Sequence, residues 1–116
     1  MLNIIKTLIL KLGYSLSGIR DTWKTEKSFR QWFILIIVSD LAAIIYAPSI
    51  IWLAIIVAFG LLLLASELIN TAIEAIVNKV QPEFDPLAKK AKDAGSAMTL
   101  VTFFALVLLW IGMLNA

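Results

Sequence analysis

Cysteine and histidine are absent from all 116 residues. No disulfide, thiol nucleophile, Cys- or His-based zinc site or imidazole proton transfer is available. Charged side chains are scarce at 16%, and a net charge of +2 gives no reason to expect a nucleic-acid partner. The five glycines, at 13, 18, 60, 95 and 112, are scattered. Neither G-x-x-x-x-G-K-[ST] nor G-x-G-x-x-G occurs, so P-loop NTPase and protein kinase folds are excluded. Catalysis, if any, must use carboxylates, lysine, hydroxyls and a hard metal ion. The N-terminus does not read as a cleavable signal peptide, because Lys6 and Lys11 interrupt its apolar residues.

What is abundant is apolar surface. The chain is 61% hydrophobic, with mean hydropathy +0.94. That balance suits an all-α integral membrane protein and not a soluble domain. In residues 2–23, Leu2, Ile5, Ile9, Leu12, Leu16, Ile19 and Trp23 alternate by three and four. This spacing predicts a helix lying in the membrane interface, with a coiled-coil seam as the alternative. Residues 21–31 are polar and read as a turn or a short helical link. Apolar spans follow at about 32–47, within 50–80 and at about 94–115, the first closed by Ala47-Pro48-Ser49. The second pattern stays helical to Val80, so that helix should protrude beyond the hydrocarbon. A polar loop with Pro82 and Pro86 fills 81–91. The chain thus reads as one membrane domain, 1–116.

All ten Lys and Arg residues lie within 6–30 or 79–92. The positive-inside rule places the N-terminus and the 81–93 loop in the cytoplasm. Glu26, Glu67, Asn70, Glu74, Lys92 and Asp93 then fall at one depth, near the cytoplasmic boundary.

The stretch Glu67-Leu68-Ile69-Asn70-Thr71-Ala72-Ile73-Glu74 carries the chemistry. At 100° per residue, positions 67, 70 and 74 share an arc of about 60°, with 67 and 74 about 10 Å apart along the axis. An acid near the hydrocarbon costs roughly 2.5–3.5 kcal/mol at the centre of a span. Two on one face suggest a reacting or ion-binding site. The alternative is an interhelical polar seam. Lys92-Asp93 reads either as a span flank with Asp93 as helix cap, or as a phosphate clamp at a helix start. Glu26 matters only if it meets Glu74. A Glu26–Mg²⁺–Glu74 arrangement with a nucleotide would satisfy the preference of Mg²⁺ for few carboxylates plus phosphate and water. Asp40, in mid-span, fits none of this.

Glu67-Leu68-Ile69-Asn70-Thr71-Ala72-Ile73-Glu74-Ala75-Ile76-Val77-Asn78-Lys79, followed by Ala91-Lys92-Asp93-Ala94-Gly95-Ser96-Ala97, resembles the prokaryotic diacylglycerol kinase family. Gly13-Tyr14-Ser15, Gly18-Ile19-Arg20, Trp23, Glu26 and Phe29-Arg30-Gln31 look like its Gram-negative branch. The resemblance covers nearly the whole chain. It implies a homotrimer of three-span protomers with an amphipathic surface helix, in the bacterial inner membrane. It implies Mg²⁺- and ATP-dependent phosphorylation of diacylglycerol to phosphatidate. By matched position, Glu67 looks like the catalytic base, and Glu26 and Glu74 look like metal ligands. Tyr14, Glu26, Glu74, Glu83, Phe84, Asp85, Lys92 and Asp93 look like ATP contacts. Arg20, Trp23, Phe29, Arg30, Gln31, Glu67, Ser96 and Trp110 fall where the family lines its lipid site, and Asn70 supports the centre. Trp32, Thr7, Asn78 and Asp40 depart from the family pattern.

Residue types fit phosphoryl transfer independently, since Glu67 can accept a hydroxyl proton while Lys92 and Mg²⁺ neutralise charge. Three thin helices cannot enclose both a lipid and a nucleotide, so a site shared between subunits is expected. Rival readings are an undecaprenol kinase of the same build, a small proton or cation transporter subunit, and a non-catalytic assembly factor.

Overall fold

The computed structural model describes residues 1–116 as four helices: α1 (Leu2–Thr25), α2 (Lys27–Tyr46), α3 (Ile50–Val80) and α4 (Pro86–Leu114). The fold is all-α. Helices α2, α3 and α4 are each long and apolar enough to cross a membrane, and α1 is not.

The link at 21–31 is helical on both sides of a single break. Glu26 alone leaves helical geometry (φ −109°, ψ 106°), and its N–H still donates to Thr22 O at 2.8 Å. Helix α2 therefore begins at Lys27, ahead of its apolar span, with a first turn that is polar apart from the buried Phe29. It ends at Tyr46 because Pro48 lies just beyond, and Ala47 is extended (φ −67°, ψ 126°). Ser49 caps α3 by accepting from the Trp52 N–H at 3.3 Å.

Helix α3 has 31 residues. At 1.5 Å per residue it is about 46 Å long, against a hydrocarbon core of about 30 Å. It is the central helix, packed against α4 on one side and α2 on the other. Helix α4 starts at Pro86, well before the apolar span read from 94. Asp85 is its N-cap, accepting from the Ala88 N–H at 3.0 Å, and Pro86 occupies the first turn. Asp93 is consequently not a cap. No helix start lies beside Lys92, so the clamp of free N–H groups expected there does not form.

The core is a narrow seam of Ile36 and Ala43 from α2, Ile56 and Leu63 from α3, and Leu106 and Met113 from α4. Gly60 permits the α2–α3 approach, since a Cβ there would sit 2.8 Å from Ile36 Cγ2. Only 14 of 116 residues are buried, so most apolar side chains of the spans face outward, as a lipid-facing surface requires. Helix α1 engages the bundle through its C-terminal half, where Thr22 is its one buried residue.

Candidate active site

Glu67 lies on α3 and is 5% exposed. Its Oε2 accepts a hydrogen bond from Ser28 Oγ in the first turn of α2, at 3.1 Å. No lysine or arginine pairs with it, because the one ion pair of the chain is Lys89–Asp93 on α4. One turn along α3, Asn70 is also buried. Its Nδ2 donates to Glu74 Oε1 at 3.4 Å. Its Oδ1 is buried without a donor, pressed against Gly95 of α4. The stripe is thus split between neighbours: Glu67 meets α2, and Asn70 meets α4.

A separate polar seam begins at Ser66, the residue before Glu67, on the α4-facing side of α3. Ser66 Oγ donates to Leu63 O at 2.6 Å and lies 3.2 Å from Thr99 Oγ1, whose hydroxyl can donate to it. Those hydroxyls satisfy each other, as interhelical glue does. Glu67 and Asn70 differ, because one carboxylate lacks a cation and one amide oxygen lacks any donor.

Glu26 is half-buried at the α1–α2 joint, two residues before Ser28. Within the chain, no cluster of three or more carboxylates is arranged to hold a metal ion.

At the end of α3, the 81–85 turn and the start of α4 enclose an open groove of about 390 Å³. Glu83, Phe84, Asp85, Lys92 and Asp93 all line it. Lys92 Nζ donates to Asn78 Oδ1 at 2.9 Å, tying α4 to α3. Lys89 holds Asp93 at 2.6 Å across one helical turn. Tyr14 is 70% exposed on α1 and lines none of the grooves described here.

A second, mainly apolar groove of about 600 Å³ lies between α1, α2 and α3. Arg20, Trp23, Phe29 and Phe33 form one wall, and Leu64 and Leu68 the other. Trp23 meets Phe33 edge-on, with ring centroids 5.2 Å apart. Arg30 turns away from this groove. Its Nη1 donates to the carbonyls of Trp23 and Lys24, the latter at 3.2 Å, and so caps the C-terminus of α1. Gln31 and Ser96 are exposed and outside both grooves. Trp110 lies about 21 Å beyond Ser96 along α4, where its Nε1 donates to Ser39 Oγ at 2.8 Å. Asp40 faces α3 near Gly60 with Oδ1 unpartnered, apart from both grooves.

The family profile "Prokaryotic diacylglycerol kinase" matches residues 13–114. The chain belongs to the prokaryotic diacylglycerol kinase family. The Escherichia coli (strain K12) "Diacylglycerol kinase" is 31% identical over 103 residues, covering 89% of this chain and 84% of the relative. The Pseudomonas aeruginosa protein of the same description is 38% identical over 106 residues, covering 91% and 86%. That of Helicobacter pylori (strain 26695) is 36% identical over 105 residues, covering 90% and 82%. As a diacylglycerol kinase family member with three apolar helices of spanning length, the chain is a multi-pass membrane protein.

Ser28 was not singled out from sequence. Its contact with Glu67 depends on α2 starting at Lys27, and a lone serine in a polar stretch carries no such signal.

Proposed function

We propose that this protein phosphorylates diacylglycerol to phosphatidate with ATP, at the cytoplasmic face of the inner membrane. The observation that carries the reading is Glu67: buried, without a cationic partner and bonded to a hydroxyl, in a family whose relatives are diacylglycerol kinases. Twenty residues from Ile50 span the hydrocarbon. Glu67 then sits at the lipid border, and Glu74 and the 81–85 groove lie beyond it. A lipid hydroxyl and a water-borne triphosphate each reach that border from their own phase.

Glu67 accepts the proton of the lipid's primary hydroxyl as its oxygen bonds to the γ-phosphorus and the bond to the ADP oxygen breaks. Lys92, with Asp93, Glu83, Phe84, Asp85 and Tyr14, positions the nucleotide. Arg20, Trp23 and Phe29 seat the lipid at the apolar groove; Arg30, Gln31, Ser96 and Trp110, also suggested by the family resemblance, lie outside that groove within one protomer. Asn70 orders Glu74 through its amide.

Mg²⁺ suits the donors present. Glu67 and Glu74 lack cationic partners, and Asn70 Oδ1 is a buried oxygen without a donor. Hard oxygen donors few in number are what Mg²⁺ takes when phosphate and water complete its shell. Glu26 and Glu74 would hold it. When bound, it neutralises charge on the phosphate oxygens.

The active form is a homotrimer of single-domain protomers with sites shared between subunits, and α1 lies on the membrane surface as an amphipathic helix. The family resemblance suggests the trimer, and three thin spanning helices cannot by themselves enclose both a lipid and a nucleotide. Mixing Glu26→Gln with Glu67→Gln protomers should restore activity, and mixtures without recovery would rule out shared sites. The function itself is tested with purified protein, labelled ATP and Mg²⁺, offering short-chain diacylglycerol and undecaprenol separately. Labelled phosphatidate is the expected product, and preferential labelling of undecaprenol would refute the assignment.

A further inference from the structure

Glu67 receives a single hydrogen bond, from Ser28 Oγ to Oε2. Its other oxygen, Oε1, accepts none and is not among the buried polar atoms that lack a partner, so the protomer leaves it open to an approaching group. The two oxygens of one carboxylate are thereby made different. A free glutamate carboxylate rotates readily about its last torsion. One hydroxyl bond suffices to fix which oxygen faces the helix joint and which faces outward.

Ser28 is itself held firmly. Phe29, the next residue, is 4% exposed and meets the Trp23 ring edge-on at 6.3 Å. Arg30 ties the same turn of α2 to the Trp23 and Lys24 carbonyls of α1. On the other side, Glu26 breaks the helix and sets where α2 starts. The serine hydroxyl therefore reaches Glu67 from a turn anchored on both flanks.

We propose that Ser28 is a positioning residue for phosphoryl transfer, an inference that rests on Glu67 being the base. Its hydroxyl occupies Oε2 and leaves Oε1 to receive the proton of the acceptor hydroxyl. Ordering the base before substrate arrives removes a rotational cost from the reacting step. The contribution belongs to turnover and not to binding of either substrate.

Ser28→Ala, Ser28→Thr and Glu67→Gln are compared as full-length protein in mixed micelles, together with Ser28→Ala/Glu67→Gln. Values of kcat, KM for ATP and for diacylglycerol, and thermal midpoints are read for each. Ser28→Ala should lower kcat about 10-fold, with both KM values held within about twofold and an unchanged midpoint. Ser28→Thr keeps the hydroxyl and should recover kcat to within about threefold of the parent. Adding Ser28→Ala to Glu67→Gln should cost nothing more, because the group it orders is gone. A Ser28→Ala protein with parental kcat, beside an inactive Glu67→Gln, overturns the role of Ser28 alone. A loss of kcat that tracks a lowered midpoint, and that threonine does not restore, overturns it in favour of a merely structural contact. A fully active Glu67→Gln overturns both the base and the residue that orders it.

Discussion

Asn70 of α3 and Gly95 of α4 meet so closely that a Cβ on Gly95 would lie 2.5 Å from Asn70 Oδ1. The same amide donates to Glu74 through Nδ2. The absence of a side chain at 95 is what lets the amide sit between the helices in this orientation.

Gly95→Ala should therefore force the Asn70 amide to rotate or the helices to part. Inserting a methyl into a tight contact costs about 1–3 kcal/mol. Activity should fall further than stability, since the Asn70–Glu74 bond is lost with the rotation. Thermal unfolding and kinase turnover measured on one preparation check this. Equal activity in the alanine protein would show that the amide orientation is irrelevant.

Arg30 joins two helices that otherwise touch sparingly. Removing its guanidinium in Arg30→Ala frees the last carbonyls of α1, at a cost of about 1 kcal/mol. Hydrogen exchange should quicken in residues 20–28, around the Glu26 joint, and not in the α3–α4 seam. Unchanged exchange across that joint would show that the cap contributes nothing to it.

Lys92 bridges to Asn78 in the groove that holds Glu83, Phe84, Asp85 and Asp93. Lys92→Ala should raise KM for ATP by about 10-fold or more, the order expected when a charged contact to phosphate is lost. KM for diacylglycerol should move little. A change confined to the lipid KM would place the nucleotide elsewhere.

Much of this architecture is legible in the residues. The second span's pattern running past the hydrocarbon to Val80, and the Pro48 and Pro82–Pro86 interruptions, mark α3 and its neighbours. The Glu67, Asn70, Glu74 spacing marks the polar stripe of α3, although Glu67 turns to α2 and Asn70 to α4. Hydropathy misplaces the helix starts, because a helix and its apolar span differ in extent. Lys27 through Gln31 are helical yet polar except for Phe29, and Asp85-Pro86 carries the start signal of α4 while hydropathy rises only later. The joint at Glu26 has no glycine or proline to announce it. What accompanies it is a pair of contacts across the break, in which Phe29 and Arg30 dock α2 back on the end of α1. The same holds for Ser28 and Glu67, 39 residues apart, and for Trp110 with Ser39. No local pattern connects such pairs.

The most direct measurement is the rate of labelled phosphate transfer from ATP to a short-chain diacylglycerol, by the parent protein and by Glu67→Gln. The isosteric amide cannot accept the hydroxyl proton. Turnover should drop by about 10²–10⁴-fold, with KM for ATP little changed. A Glu67→Gln protein that makes phosphatidate at the parental rate would contradict the central role given to this carboxylate.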